Sequence, residues 1–314
     1  MKPIAFVTAA LALVLGLVAW RSWARREEPA PRPPPAIPSP SSPSADLREE
    51  PDLARIGSRA LTAKRLALWK SIEEIRSGEP ADDEAILLLE QSVKREIAER
   101  RFGIRPSATD LESTLRKLAS DPGSAAMLAR IEALFGGDHR AFLEEFISPA
   151  FVESELWARF CKDPDIHRAS RASAEDLAAK ARSTPRQFPT LGPPDGTFGR
   201  ALIALSGTDA QAPPRGNPLP RLDALPIDLD ALPRIPAGQL YPDLIDTPES
   251  FLVLRVRRQR SGFAEVETWT VPKVPYVGWL TDQARGMSRT IDSPELKARI
   301  DALDPDHWLR RVFP

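Results

Sequence analysis

The sequence predicts an α+β protein, with a helical body in its first half and strands gathered towards its C-terminal half. Three observations predict it. Apolar residues recur at helical spacing through residues 52 to 163, with caps and stops in the right order. In IPAGQLYPDLIDTPESFLVLRV two β-like runs flank the turn Thr247-Pro248-Glu249-Ser250. The 33 prolines cluster in the stretch before residue 51 and between 185 and 248, where long regular elements are therefore disfavoured.

The first element is apolar. From Pro3 to Trp20 the chain carries no charge. About 18 residues rising roughly 1.5 Å each span about 27 Å, close to the hydrocarbon core of a bilayer. Residues 1–26 are therefore expected to hold one N-terminal transmembrane helix, with Lys2 before it and Trp20 and Trp23 at its far edge, where indoles favour headgroups. A cleaved signal segment is the competing reading, since Ser22-Trp23-Ala24 is a passable small-x-small site. Arg21, Arg25 and Arg26 would keep the following chain cytoplasmic by positive-inside counting, so charge alone leaves orientation open. Residues 27–51 are proline, serine and charge, which read as an extended, semi-rigid linker.

The helical body spans 52–163. Asp82 or Asp83 can cap a helix whose apolar positions are Ile86, Leu89, Val93 and Ile97, and Gly103 stands where a left-handed stop is needed. Ser107 and Asp110 have capping-box spacing ahead of the stripe Leu111, Leu115, Leu118. A third helix is expected over 125–134, ended by Gly136-Gly137. Asp138 starts a long fourth one carrying Phe142, Phe146, Val152, Leu156 and Phe160, with a kink expected at Pro149. The charged string from Lys94 to Arg101 reads as the solvated face of its helix.

Composition narrows the function. In a chain of 314 residues, 42% hydrophobic and 28% charged, one larger or two smaller domains can fold behind the linker. A net charge of −1 supplies no field to gather phosphate backbones, so nucleic acid is set aside as a partner. Cys161 is the only cysteine, which excludes an intrachain disulfide or a paired-cysteine site. There is no glycine-rich phosphate loop, nucleophile elbow, His-x-x-x-His or Cys-x-x-Cys spacing, so no metal and no cofactor is expected.

LLLEQSVKREIAERRFGIRPSATDLESTLRKLA (87–119) and FGGDHRAFLEEFISPAFVESELWARF (135–160) resemble the helical N-terminal domain of SurA-type periplasmic foldases. IGSRALTAKRLALW (56–69) is similar to that family's short strand and Thr-capped helix, with Thr62 as the cap. Residues 164–260 resemble a degenerate parvulin-like peptidyl-prolyl isomerase module. ASAEDLAAKARSTPRQF looks like its first helix, RGNPLP like its glycine-rich turn, and the run from Leu232 to Gln259 like its closing strands. The family implies that the segment 261–314 returns to pack on the helical domain.

An active parvulin resembles a cup in which two histidines, an acid or thiol and apolar side chains hold a proline ring while its amide twists. Such a site works by binding the twisted form, since the barrier of about 18–20 kcal/mol is lost amide resonance. On these residues the first histidine falls at His167, read as a surface or loop histidine, and Leu252 occupies the second histidine slot. The resemblance therefore implies a membrane-anchored chaperone or foldase that binds unfolded or newly translocated polypeptides without efficient isomerase catalysis. It implies an inner-membrane protein with its body in the periplasm. An active prolyl isomerase and a non-catalytic assembly or scaffold protein are the alternatives. Phe160, Trp269, Tyr276 and Trp279 are the candidate polypeptide-binding side chains, because large rings bring apolar area at low conformational cost. The plainer and favoured role of Trp269, Tyr276 and Trp279, together with Trp308, is to lock the docking of the C-terminal segment, with a client-binding groove as the sharper alternative.

Overall fold

The structure, a computed structural model, describes residues 52–78, 83–205, 227–228, 230–260 and 262–314. The segment 1–26, the linker 27–51, Asp82 and the RGNPLP turn lie outside the described residues. Among the described residues no helix is long and apolar enough to cross a membrane. The fold is mixed, with two antiparallel sheets among helices. It divides into two compact units, one holding the described part of residues 1–157 with Leu280–Pro314, the other Ala158–Trp279.

The elements run β1 (Asp52–Ile56), β2 (Arg59–Thr62), α1 (Ala63–Ser77), α2 (Glu84–Phe102), α3 (Ala108–Leu118), α4 (Pro122–Ala133) and α5 (His139–Phe142). A π-helical turn, Leu143–Ile147, leads to α6 (Ser148–Lys162), then α7 (Arg168–Ser183). Next come β3 (Thr197–Ala204), β4 (Ile245–Asp246), β5 (Ser250–Arg260) and β6 (Phe263–Pro272). The chain closes with α8 (Tyr276–Arg285), β7 (Arg289–Ile291), α9 (Pro294–Asp301) and α10 (Trp308–Val312).

The first unit is built on local punctuation that the sequence displays. Thr62 accepts the Arg65 amide at 3.3 Å to start α1. The Ser107–Asp110 capping box is complete at the head of α3. Gly103 ends α2 at φ 64°, and the next amide, Ile104, reaches back to the Ala98 carbonyl at 3.1 Å. Asp83 holds the cap position of α2 but makes no side-chain capping bond. Helix α4 begins at Pro122, earlier than expected, because Asp121 accepts the Ser124 amide and a proline at the first turn loses nothing.

The fourth helix differs most from expectation. Instead of a kink at Pro149, the chain widens into the π turn Leu143–Ile147 just before it. Proline has no amide to donate and its ring crowds the carbonyl four residues back, which is Glu145, inside that turn. The irregularity is thus displaced upstream and α6 runs on regularly. Phe142 and Phe146 stack at 5.8 Å, Phe146 meets Trp69 at 5.8 Å, and Phe135 closes edge-on over Phe142 at 5.7 Å.

The end of the chain completes this unit. Strand β7 pairs with β1 in the three-stranded sheet β2-β1-β7, and the Asp292 and Ser293 amides both donate to the Leu53 carbonyl. Leu296, Ile300, Leu309 and Val312 are buried, and the Trp308 indole N–H donates to Glu90 at 2.8 Å.

The second unit is a four-stranded antiparallel sheet, β3-β6-β5-β4, covered on both faces at its apolar end. One face sets Phe251, Val253, Trp269 and Val271 against Ala174, Leu177, Ala178 and Ala181 of α7 and against Phe188. The other buries Ala201, Ile203, Leu252, Leu254, Val256, Ala264 and Val266 around Leu232 and Ile245. The predicted hairpin is present, and Thr247 donates its amide to the Ser250 carbonyl at 3.0 Å. The boundary drawn after residue 260 falls between β5 and β6. Phe263–Pro272 is the strand between β3 and β5 and does not begin a separate segment, because its backbone groups are paired on both sides.

Candidate functional site

His167 is the first residue to place. It lies in the turn that leads into α7, a loop position as expected, but it is buried, 2% exposed, and not at the surface. Its Nε2–H donates to the Phe160 carbonyl at 2.9 Å, and its ring meets the Phe160 ring edge-on at 4.8 Å. Nδ1 is buried with no partner among the described residues. Burial first, and also the Lys273 charge, hold its pKa below the usual histidine range, so the ring is neutral and packs as an aromatic. The chain leaves it directly into the helix α7.

Phe160, Tyr276 and Trp279 gather around the same point. Phe160 lies 5.0 Å from Tyr276 and 5.1 Å from Trp279, and those two rings stack at 6.1 Å. Phe160 and Trp279 are buried and Tyr276 is half-buried, so the rings expected to grip a polypeptide mainly grip one another. Trp269 is not with them. It lies in the core under α7, donates its indole N–H to the Phe188 carbonyl at 2.7 Å, and occupies the space a Cβ at Gly192 would need. Leu252, which the resemblance would put in a histidine slot, is buried in the opposite face of the sheet, opposite Ile245.

Lys273 is buried, donates to the Cys161 carbonyl at 2.9 Å and to Asp246 at 2.5 Å, and lies 4.8 Å over the Phe251 ring. Burial pushes the Cys161 thiol up to about 11, which leaves almost no thiolate at neutral pH. No nucleophile is prepared here. Among the described residues no group of His, Cys, Asp and Glu side chains is placed to hold a metal ion.

A cavity of about 570 Å³ lies instead in the first unit. Its apolar wall is Ile104, Pro106, Ala108, Leu111 and Leu143. Its polar lining is four arginines, Arg59, Arg95, Arg105 and Arg140, with Glu99, Glu144 and Ser148. The local fold explains the set. The left-handed stop at Gly103 turns residues 104–108 back beside α2, the capping box aims α3, and the π turn carries Leu143 and Glu144.

The carboxylates of this region already have cations. Glu99 takes Arg59 on one oxygen at 2.8 Å and Arg105 on the other at 2.9 Å. Glu144 takes Arg140 at 2.8 Å. Glu145 accepts from Arg65 and from the Trp69 indole at 2.9 Å. Arg95 is left over. Burial first, then the Arg59 and Arg65 charges, hold it below the usual arginine range, which still leaves it fully charged at neutral pH. Two further donors, Arg59 Nε and the Ser148 hydroxyl, are buried with no acceptor among the described residues.

The string Lys94–Arg101, read from the sequence as a solvated face, is therefore corrected. Lys94 bridges to Glu153 at 2.6 Å, Ile97 and Ala98 are core, and Arg95 and Glu99 line the cavity. One signal was available in the sequence. That signal is the neighbour Leu88 alone, buried seven residues before Arg95 on its side of α2, while Arg95 itself stands about 200° round the helix from Ile97, on the face where solvent is expected.

Comparisons with known proteins add no relative: no family model, no curated protein and no solved structure matches the chain.

Proposed function

We propose that this chain is a membrane-anchored, extracytoplasmic binding protein of the chaperone or foldase class, which takes up segments of unfolded or newly exported polypeptide without efficient prolyl isomerisation. The observation that carries this reading is the cavity of about 570 Å³, with an apolar wall facing a polar lining rich in arginine, which is of a size and chemistry for a few residues of extended chain. Support for the absence of isomerisation comes from His167, a buried neutral ring held by the Phe160 carbonyl, and from Leu252 in the core. The anchor and the periplasmic position rest on the N-terminal sequence and on the resemblance to SurA-type foldases.

The test uses the full chain in detergent micelles. Light scattering of a chemically unfolded client should rise more slowly in its presence, while a protease-coupled proline assay should match buffer. Unchanged aggregation rejects the chaperone reading, and isomerisation well above buffer restores the enzyme. An export-dependent reporter fused at residue 50 should be active; an inactive one rejects the extracytoplasmic placement.

A further inference from the structure

We propose that the cavity of the first unit is a carboxylate site, in which Arg95 binds the free C-terminal carboxylate of a polypeptide whose last side chain lies on the Leu111–Leu143 wall. This rests on the polypeptide-binding reading above and names the group recognised.

The argument begins with an imbalance. A guanidinium taken part-way out of water needs an acceptor, and leaving a buried donor unmet costs about 1–3 kcal/mol, more for a charged group. Around this cavity the carboxylates of Glu99, Glu144 and Glu145 are each occupied by other donors, while the half-buried Arg95 feels the Glu145 and Glu99 charges but has no hydrogen-bond acceptor among the described residues. The lining holds four arginines to two glutamates, so its field favours an anion. Arg59 Nε and the Ser148 hydroxyl, also on the lining, are donors lacking acceptors, and Ser148 is fully buried. What is missing is a group that only accepts.

The wall decides which anion. Ile104, Pro106, Ala108, Leu111 and Leu143 stand on the same cavity as the arginines, so the ligand joins a negative group directly to an apolar one. The last residue of a polypeptide has that form: a planar carboxylate, which suits a guanidinium fork, one bond from the carbon bearing the side chain. A solvated inorganic ion would use the arginines and leave the wall unused. A glycerophosphate headgroup would present hydroxyls to it.

The experiment measures fluorescence anisotropy with the full chain in detergent and a fluorescein-labelled pentapeptide ending in Ala-Leu, as free acid and as C-terminal amide. The free acid should bind about tenfold or more tightly than the amide, a difference of about 1.4 kcal/mol. Arg95→Met should weaken the acid far more than the amide and so remove that difference, and Arg95→Lys should restore part of it. Thermal melting of each variant shows that it is folded, and a purely structural role for Arg95 would move acid and amide alike. Equal binding of acid and amide overturns the carboxylate site and leaves the polypeptide reading standing. Binding of neither overturns both. Equal acid and amide binding together with Arg95-dependent binding of glycerol phosphate assigns the cavity to a lipid headgroup and overturns the proposal.

Discussion

At the residue scale, the side chains with the most reactive reputations are the ones the fold has quietened. Cys161 is half-buried with its thiol pushed up to about 11 by desolvation. A thiol reagent at pH 8 should therefore modify the native chain about a hundredfold more slowly than the urea-unfolded chain, in proportion to the thiolate present. Equal rates would show that the thiol is not desolvated. Trp269 lies against Gly192 so closely that an added Cβ would come within 2.1 Å of the indole. Gly192→Ala should destabilise by about 1–3 kcal/mol, the range for overpacking a filled core, and a denaturant midpoint unchanged from wild type would refute that contact. Neither residue announces this in the sequence. Cysteine burial and the partner of a tryptophan are set by residues far away along the chain, so neither the burial of His167 nor the place of Trp269 under α7 is legible from spacing.

At the element scale, a β-bulge organises the charged end of the second unit's sheet. The register slips between Val256 and Arg258 on β5, so that Arg257 and Arg258 both reach Glu265 on β6. Glu267 is enclosed by Arg200 at 3.1 Å and by Arg255. For Glu265, burial is the strongest single influence and raises the pKa, but the hydrogen bonds from Arg258 and Arg257 and their charges outweigh it together, and the net direction is down. A carboxyl whose pKa is lower folded than unfolded stabilises the fold above its unfolded value and loses that contribution as pH falls through its folded value. The melting temperature should accordingly drop as pH is lowered through the carboxylate range and beneath it. In Glu265→Gln the drop should be shallower, and an identical slope would remove Glu265 from the effect. Capping and stopping signals were the legible part at this scale. Ser107 with Asp110, Gly103 and the Thr247–Ser250 turn act on neighbours a few residues away, and each is where spacing placed it.

At the scale of the whole molecule, the first unit is discontinuous in sequence. Strand β7 supplies an edge of its sheet, and α9 and α10 bring Leu296, Ile300, Leu309 and Val312 into its interior. A chain stopped after Trp279 should leave this unit unable to fold, because β1 loses its β7 partner and those four buried side chains vanish together. Limited proteolysis should then cut throughout 83–157, and a protected fragment there would show that the last 35 residues, Leu280–Pro314, are dispensable. The carboxylate site belongs to this unit too, so such a chain should also lose discrimination between acid and amide peptides.

The amino-acid order by itself determined the class of fold, the positions of most helix ends and the hairpin, since each depends on hydrogen bonds and backbone preferences within about one turn of chain. Only the tertiary structure decided which charged residues matter. Whether an arginine on a helix is solvated, paired or left without an acceptor depends on which carboxylates other segments bring beside it. Arg95 is singled out because Glu99, Glu144 and Glu145 are taken by Arg59, Arg105, Arg140 and Arg65, contacts spanning up to 80 positions in sequence.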